Sequence, residues 1–501
     1  MNIYLDRLLN HFSMYKVASG ALGLLFVIAL IFSFLGMIVY SPLAMLASVI
    51  VLGLSVWLTS LLLGLLFGVS VQAESSFITA LILFFIFTPT LQLTGLLALL
   101  LIGMVAAASK FILVYKGRHI FNPAALAAFV IGLTGLGYAT WWVATPILII
   151  PTFLLGFAII YKTRRVAVSG TFLAIATFLL IVVLTNEGAT LNQSLVLWFS
   201  WPILFFASFM LTEPLTLPQK KWQTVFEAVV VALIFIIPIQ IAGFSSNPAL
   251  ALLIGNLIAF GFGRRRSIML KFKEIKQLTP TSFEFIFEPS RSLSYEAGQY
   301  IDIMVPSIKD DWRGRRRSFS ITSAPSEPMV RLGIKFYEPS STLKNNLRKL
   351  KSDTIIQSTG INGDFTLPKD AGTPLVYIAG GIGITPFMSH LAHLKLLQQT
   401  RDITLFYAVN NVSELAYHDL LVTSGIKVCV VTKSNAPLML PNGWVHRNEP
   451  FISEKTLIDI VPDIVARTVY LSGPPNMIDG VKKYLKKLHV RSIKTDYFIG
   501  Y

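Results

Sequence analysis

Ten apolar stretches dominate the first half of the chain, over residues 17–39, 43–68, 76–88, 92–115, 123–137, 141–160, 167–184, 193–211, 223–243 and 247–262. An α-helix needs about 20 apolar residues to cross a bilayer, and most of these stretches approach that length. The pattern predicts a polytopic α-helical membrane domain of about ten spans over 1–266. After Arg266 the period changes. Over 267–370, short runs such as SFEFIFEP, GQYIDIMVP, VRLGIKFYEP and DTIIQSTG alternate apolar and polar positions between turns, which predicts a β-barrel domain. Over 371–501, the runs LVYIAG, ITLFYAV, KVCVVT, TVYLSG and IKTDYF alternate with helical stretches at 386–398, 413–422 and 475–488. That alternation predicts a parallel α/β domain.

Two of the apolar stretches open alike. Asn122-Pro123-Ala124 begins the fifth and Asn247-Pro248-Ala249 begins the tenth, with NPAALAAFVIG echoed by NPALALLIG. Asn caps a helix and Pro suits its first turn, so one copy signals only a helix start. Two copies five segments apart predict a 5+5 repeat, inverted because five is odd. Paired Pro-interrupted helices of this kind point to a ligand site at their N-termini, with Asn122 and Asn247 as candidates.

Composition sharpens the division. Hydrophobic residues make up 54% of the 501 and charged residues 14%, against about 25% charged in soluble proteins. Residues 1–266 hold only 13 of the 42 Lys and Arg and 5 of the 26 Asp and Glu. The first-half cations (Arg7 and Lys16; Lys116 and Arg118; Lys162, Arg164 and Arg165; Lys220 and Lys221; Arg264, Arg265 and Arg266) fall in alternate loops. That bias predicts a multi-pass protein of the cell (inner) membrane, in contact with lipid, with both termini cytoplasmic. Residues 1–16 read as lacking a cleavable signal. The net charge of +16 has no nucleic-acid motif behind it. Cys429 is the single cysteine, so the chain cannot by itself supply the four thiolates of an iron–sulfur cluster. His11 and His119 are the only histidines before Arg266, too few for a membrane haem pair. No metal site is expected.

The second half carries the chemistry. Gly298-Gln299-Tyr300 is followed by Arg317-Ser318-Phe319-Ser320. Gly381-Ile-Gly383-Ile-Thr385-Pro386 follows the strand LVYIAG, and Ser472-Gly473-Pro474-Pro475-Asn476-Met477 follows TVYL. The chain ends Phe498-Ile499-Gly500-Tyr501. A bare G-x-G is common by chance, but this ordered set resembles the ferredoxin–NADP reductase family over essentially the whole half. The resemblance implies FAD and NADH or NADPH as cofactors. It implies that Arg317 binds flavin phosphate, Phe319 packs on the flavin ring where relatives usually have Tyr, and Ser320 bonds near flavin N5. Tyr300 and Ser318 complete that set, and Ser341 and Thr342 match the segment holding the flavin phosphates. Gly381 and Gly383 would admit a second pyrophosphate, with Thr385 and Pro386 near the nicotinamide. Ser472, with Gly473, Pro474 and Met477, would lie beside the same ring, where many relatives have Cys. Tyr501 would cover a flavin face. Ser320, Ser472 and Tyr501 are the implied catalytic residues. Asn410 and Asn411 after ITLFYAV, and Lys433 after the next strand, leave the choice of nicotinamide open, with a lean to NADH.

FNPAALAAFVIG and MLTEPLTLP resemble motifs of two related membrane proteins, the D-type component of Rnf electron-transport complexes and the B-type component of the sodium-pumping NADH:quinone reductase. Those relatives carry membrane flavin, with FMN on a Thr in D-x-x-[S/T]-G-A-T. Here the stretch reads Leu184-Thr185-Asn186-Glu187-Gly188-Ala189-Thr190, keeping Gly-Ala-Thr but not the Asp or the Ser/Thr. An ordinary polar loop is the commoner explanation, with FMN on Thr190, or a non-covalent FMN or riboflavin near the Asn-Pro helices, as the alternatives. Glu213 and Glu227 are acids near membrane depth, where such residues are functional candidates. The expectation is a membrane oxidoreductase passing electrons from NAD(P)H through FAD to a flavin or quinone, and on to a membrane or external acceptor. A solute or flavin transporter with a fused regulatory reductase is the alternative.

Overall fold

The computed structural model describes residues 12–498 except 70, 116–117, 215, 219, 242–243, 263–267, 306–315, 339 and 434–439. The chain divides into two compact units, Met1–Arg266 and Ser267–Tyr501.

The first unit is helical. Elements are numbered in chain order: α1 Met14–Phe34, α2 Pro42–Phe67, α3 Ala73–Ile86, α4 Leu93–Ile112, the hairpin β1 Val114–Tyr115 and β2 Arg118–His119, and α5 Pro123–Thr134. A second series follows: α6 Ile149–Thr163, α7 Val166–Asn186, α8 Leu191–Trp198, α9 Ile203–Phe205 running into a π-turn at Phe206–Met210, α10 Lys221–Ile236, the hairpin β3 Gln240–Ile241 and β4 Phe244–Ser245, and α11 Pro248–Phe262. The contacts repeat as well as the order. In the first series α2 packs on α3 and α4, and α4 on α5; in the second α7 packs on α8 and α10, and α10 on α11. The two series meet where α1 packs on α6 and α5 on α11.

Small residues set these contacts, as they do wherever apolar helices must approach closely. A Cβ at Gly103 would lie 2.6 Å from Ser55 Oγ, and one at Gly156 would lie 2.5 Å from Ser208 Oγ. Serines also donate across helix interfaces, Ser55 to Leu100 O at 2.6 Å and Ser169 to Ala207 O at 2.9 Å.

The expectation of ten spans is met only in part. Among the described residues five helices are long and apolar enough to cross a membrane, or six if the pair Leu191–Trp198 and Ile203–Met210, bent by 51°, counts as one. Three more are apolar but short: Ala73–Ile86, Pro123–Thr134 and Pro248–Phe262. At 1.5 Å per residue these cover roughly 20 Å of a hydrocarbon layer about 30 Å thick. The matching stretches, 76–88, 123–137 and 247–262, are about as short in the sequence, so the expectation of ten counted as spans segments shorter than a bilayer is wide.

The second unit holds two six-stranded sheets. The first is antiparallel, in the order β8-β7-β10-β5-β6-β9, built from β5 Ile268–Gln277, β6 Ser282–Pro289, β7 Tyr300–Met304, β8 Arg316–Ser320, β9 Val330–Lys335 and β10 Ile355–Asn362. An isolated bridge between Ile321 and Leu332 joins the chain just past β8 to the other edge strand, β9. Alternate residues such as Phe285, Phe287, Ile301, Ile303 and Leu332 form its core, as period-2 patterning requires. The helix α12, Thr342–Arg348, follows β9.

The second sheet is parallel, in the order β14-β13-β12-β11-β15-β16, from β11 Leu375–Gly380, β12 Ile403–Ala408, β13 Lys427–Thr432, β14 Val445–Asn448, β15 Thr468–Gly473 and β16 Ile493–Tyr497. Every residue of β11 is buried, as both faces of a central parallel strand should be. The helices α13 Thr385–Leu396, α14 His418–Thr423, α15 Glu454–Ile460 and α16 Pro475–Lys487 connect the strands.

Candidate functional site

Strand order places the site. From β11 the chain runs outward through β12, β13 and β14, then returns to β15 on the other side of β11. The strand order therefore reverses between β11 and β15, and ligands of parallel sheets bind outside the C-terminal ends of the strands at such a point. Both glycine-containing motifs sit there. The first forms a 3₁₀ turn at Gly381–Ile384 leading into α13, with Pro386 in its first turn; the second leads into α16, with Pro474 at its N-cap position.

The glycines are needed for close approach. A Cβ on Gly383 would lie 2.4 Å from Ser472 O, and one on Gly380 would lie 2.6 Å from Met477 Sδ. Gly473 faces Gly380 Cα and Met477 Cε. Gly381 differs: its φ is +54°, and nothing lies within 4 Å of the position a Cβ would take, so its backbone borders open space. This is a cradle fit for a pyrophosphate, which binds exposed backbone N–H groups at a helix start. Thr385 is fully buried; its hydroxyl donates to Ile382 O at 2.9 Å and its methyl packs toward Gly333 of β9. The Ser472 hydroxyl is buried and has no hydrogen-bond partner among the described residues. An orphaned hydroxyl at a strand end is costly unless a ligand satisfies it.

The antiparallel sheet supplies the other wall. Tyr300 pairs with Ser320, Ile301 with Phe319 and Asp302 with Ser318 across β7 and β8. Ser318 donates to the Asp302 carboxylate, which also accepts from Arg316 at 2.5 Å. By strand alternation Arg317 and Phe319 share the opposite face, and Phe319 is partly buried against the sheet core. Ser341 is buried and caps α12, so its hydroxyl accepts from Lys344 N at 3.4 Å, with Thr342 the first helical residue. Tyr501 lies outside the described residues.

Two residues of this site are not evident in the sequence. Asp496 stands beside Ser472 in the β15–β16 register, and its carboxylate accepts from Ser320 Oγ at 3.4 Å. Ser320, Ser472 and Asp496 are thus brought together from both sheets. His390 is fully buried beneath the site, bonded to Phe365 O at 2.9 Å and Tyr377 Oη at 3.1 Å. A Cβ on Gly298 would meet His390 Nε2 at 2.3 Å, which explains the glycine of Gly298-Gln299-Tyr300. Beyond the strands, Asn411 Oδ1 accepts from Ser413 N, and the Lys433 ammonium lies 5.8 Å over the Phe451 ring.

In the helical unit the candidates separate. Asn122 is buried, caps α5 through Ala125 N at 3.0 Å, and donates to Glu213 Oε2 at 2.8 Å. Asn247 is exposed and caps α11 through Leu250 N at 2.8 Å. Thr190 is exposed and forms a capping box with Gln193 at the start of α8. Glu227 is fully buried beside Gly255 of α11. Asn122 and Glu213 line a pocket in the helical unit. Among the described residues no group of three metal-ligating side chains occurs.

Comparison with known proteins agrees with the second unit's plan. Residues 377–483 match the oxidoreductase NAD-binding domain family. A flavohemoprotein of Halalkalibacterium halodurans is 29% identical over 255 residues, covering 48% of this chain and 61% of the relative. The reductase component of propane 2-monooxygenase of Rhodococcus jostii is 27% identical over 236 residues, 44% of this chain and 60% of the relative. The chain therefore spans about three-fifths of the length of these two relatives. A ferredoxin NADP+ reductase from Neisseria gonorrhoeae, solved with bound FAD and NADP, superposes with a TM-score of 0.39 at 18% identity, covering 46% of this chain and 98% of that one. Over residues 377–483 the second unit is thus similar to oxidoreductase NAD-binding domains.

Proposed function

We propose that the whole chain is a membrane-bound NAD(P)H-dependent flavin oxidoreductase of three domains: helical 1–266, a flavin-binding β-barrel 267–370 and an NAD(P)-binding domain 371–501. It takes electrons from NAD(P)H and passes them to a flavin or quinone in the helical domain, and on to a membrane or external acceptor. The observation that carries the first step is the meeting of two glycine turns, an orphaned Ser472 hydroxyl and the Ser320–Asp496 pair at one sheet reversal. The bridge from Ile321 to Leu332 supports the barrel.

FAD, when bound, supplies the exchange between a hydride donor and one-electron carriers. Arg317, with Ser341 and Thr342, would hold its phosphates, and Phe319 and Tyr300 would hold its ring. The Ser320 hydroxyl, backed by Asp496, can pass a proton between its Oγ and the carboxylate near the reacting edge. Gly381 and Gly383 admit the nicotinamide dinucleotide, and Ser472 Oγ orients its ring. The excess of cations in this unit, 29 Lys and Arg against 21 Asp and Glu after Arg266, favours two anionic dinucleotides.

Membrane placement is supported by what the first unit leaves uncovered. In its five long helices only 22–33% of the most apolar window is buried by the protein itself. Leu65, Leu66, Ile150 and Phe178 are 66–75% exposed. Such continuous apolar surface needs lipid or a partner. The resemblance to the Rnf and sodium-pumping membrane proteins supports electron transfer there, and the repeated helix plan supports the inverted 5+5 reading. That same plan, with its cavity, favours as a second reading a solute transporter carrying a regulatory reductase.

Full-length protein in vesicles separates the two. Electron transfer requires NAD(P)H-dependent reduction of both ferricyanide and a short-chain benzoquinone, with FAD recovered from the protein. Solute uptake without quinone reduction would favour the transporter. Absence of any NAD(P)H oxidation would overturn the enzymatic reading.

A further inference from the structure

The cavity in the helical unit contains charge that the proposed electron path does not use. Its walls are apolar over Leu22, Ile78, Ile82 and Phe209, yet they also carry Lys110 and Glu213. Charged groups at membrane depth are rare and mark pathways or sites. A structural explanation would have the two neutralise each other directly. Among the described residues no ion pair joins them. Lys110 Nζ donates instead to Ser75 O at 3.1 Å, Ser75 Oγ at 3.0 Å and Thr79 Oγ1 at 2.8 Å. Glu213 bonds His119 Nε2 at 3.0 Å and accepts from Asn122 Nδ2 at 2.8 Å. Lys110 is thus held by uncharged acceptors, and Glu213 by an amide and an imidazole. Among the described residues neither forms an ion pair with a Lys, Arg, Asp or Glu side chain.

His119 lies on the β1–β2 hairpin with its side chain 14% exposed, and Glu213 beside it is 22% exposed. Glu213 then borders the cavity from the turn after the π-segment, and Lys110 borders it from the last turn of α4. The other ionisable neighbours are Tyr15 of α1 in the lining, and the Lys16–Glu74 pair at 3.9 Å where α1 and α3 begin. From α5 and α6 the lining includes the polar residues Asn122 and Thr163.

We propose that His119, Glu213 and Lys110 are a proton port into this cavity. The inference rests on the reading of the helical unit as an electron carrier. Reducing an uncharged two-electron organic acceptor A to AH₂ consumes two electrons and two protons. The electrons come from NAD(P)H through the C-terminal unit. Lys110 gives a proton by breaking one Nζ–H bond as an O–H or N–H bond forms on A. Glu213 gives the second, and both are refilled from water through His119. These are proton-delivering residues; the electrons do not pass through them.

Glu213→Gln tests this with little disturbance, since the amide can still bond His119 and Asn122. Lys110→Met and His119→Asn are its companions. In the full-length protein, Glu213→Gln and Lys110→Met should slow benzoquinone reduction by about tenfold or more, flatten its pH profile, and leave NAD(P)H:ferricyanide reduction unchanged. His119→Asn should slow it less and shift the profile. An infrared pH titration, which needs no electron flow, should show a carboxyl band that is absent in Glu213→Gln and restored in Glu213→Asp. Wild-type quinone rates in the variants would overturn the port. So would equal slowing at every pH with a carboxyl band that Glu213→Gln leaves unchanged. A wild type that reduces ferricyanide but no quinone would instead sink the electron route, and the infrared titration would still decide the port.

Discussion

Gly383→Ala offers the sharpest test of the site. The new Cβ would lie 2.4 Å from Ser472 O and 2.7 Å from Gly473 Cα and Ser472 C. Ordinary contact begins near 3.4 Å, so something must move by about 1 Å. The obstructing atoms are backbone, and they belong to a strand paired in register on both sides, Ala379 with Ser472 and Ser472 with Asp496. They cannot swing aside as a side-chain end would. Overpacking of this kind costs about 1–3 kcal/mol. For a unit of this size each kcal/mol lowers Tm by about 2–4 °C. The displacement also parts the two turns proposed to receive the nicotinamide dinucleotide. The expected variant therefore melts earlier and shows a raised KM for NAD(P)H with ferricyanide as acceptor, while its flavin content is unchanged. Gly381→Ala is the contrast: no protein atom obstructs its Cβ, the φ of +54° resists it at about 1–2 kcal/mol, and the methyl enters the open cradle, so KM should rise without displacing Ser472. A Gly383→Ala protein with wild-type Tm and wild-type KM would refute the described meeting of the turns.

Arg317→Ala should lose FAD on gel filtration, and full retention would show that the phosphate is held elsewhere. Asp496→Asn should slow hydride transfer by about 10²-fold in stopped-flow flavin bleaching without raising KM, whereas an unchanged rate would leave Asp496 a bystander. Burial lowers the pKa of His390 to about 3 from its usual 6.5. The unfolded chain takes up a proton near pH 6.5 and the folded chain does not, so the stability present above pH 6.5 is lost as pH falls toward 3, by about 1.4 kcal/mol per pH unit. Urea midpoints of flavin release measured across that range should show the slope, and His390→Gln should lack it. Burial pushes the Cys429 thiol up to about 11, so iodoacetamide should label it only after unfolding; rapid native labelling would contradict its place in the core.

Several features were legible because they are local. The run LVYIAG is apolar throughout because β11 is covered on both faces, and SFEFIFEP alternates because β6 has a core face and an outer face. The motifs around Arg317, Gly381 and Ser472 are short, and each sits in one turn or strand. The helical unit was harder. Hydropathy marks apolar stretches but not which of them are long enough to cross a bilayer, so the short helices α3, α5 and α11 were counted as spans. Asn122 was singled out as a ligand candidate, but its side chain is engaged by its own helix and by Glu213.

What the sequence alone determined is the division at Arg266, a helical first part and a second part in which alternating strands give way to strands interleaved with helices. These depend on composition and on the periods of helix and strand, which neighbouring residues carry. What only the tertiary structure decided is which distant groups meet. Asp496 reaches Ser320 across 176 residues, His390 fills the space that Gly298 leaves, and Lys110 and Glu213 face one cavity from the two different helical series. No local signal announces such pairs, because each member alone is an ordinary polar residue. Packing gives them a shared, partly dehydrated environment, and with it the chemistry proposed for them.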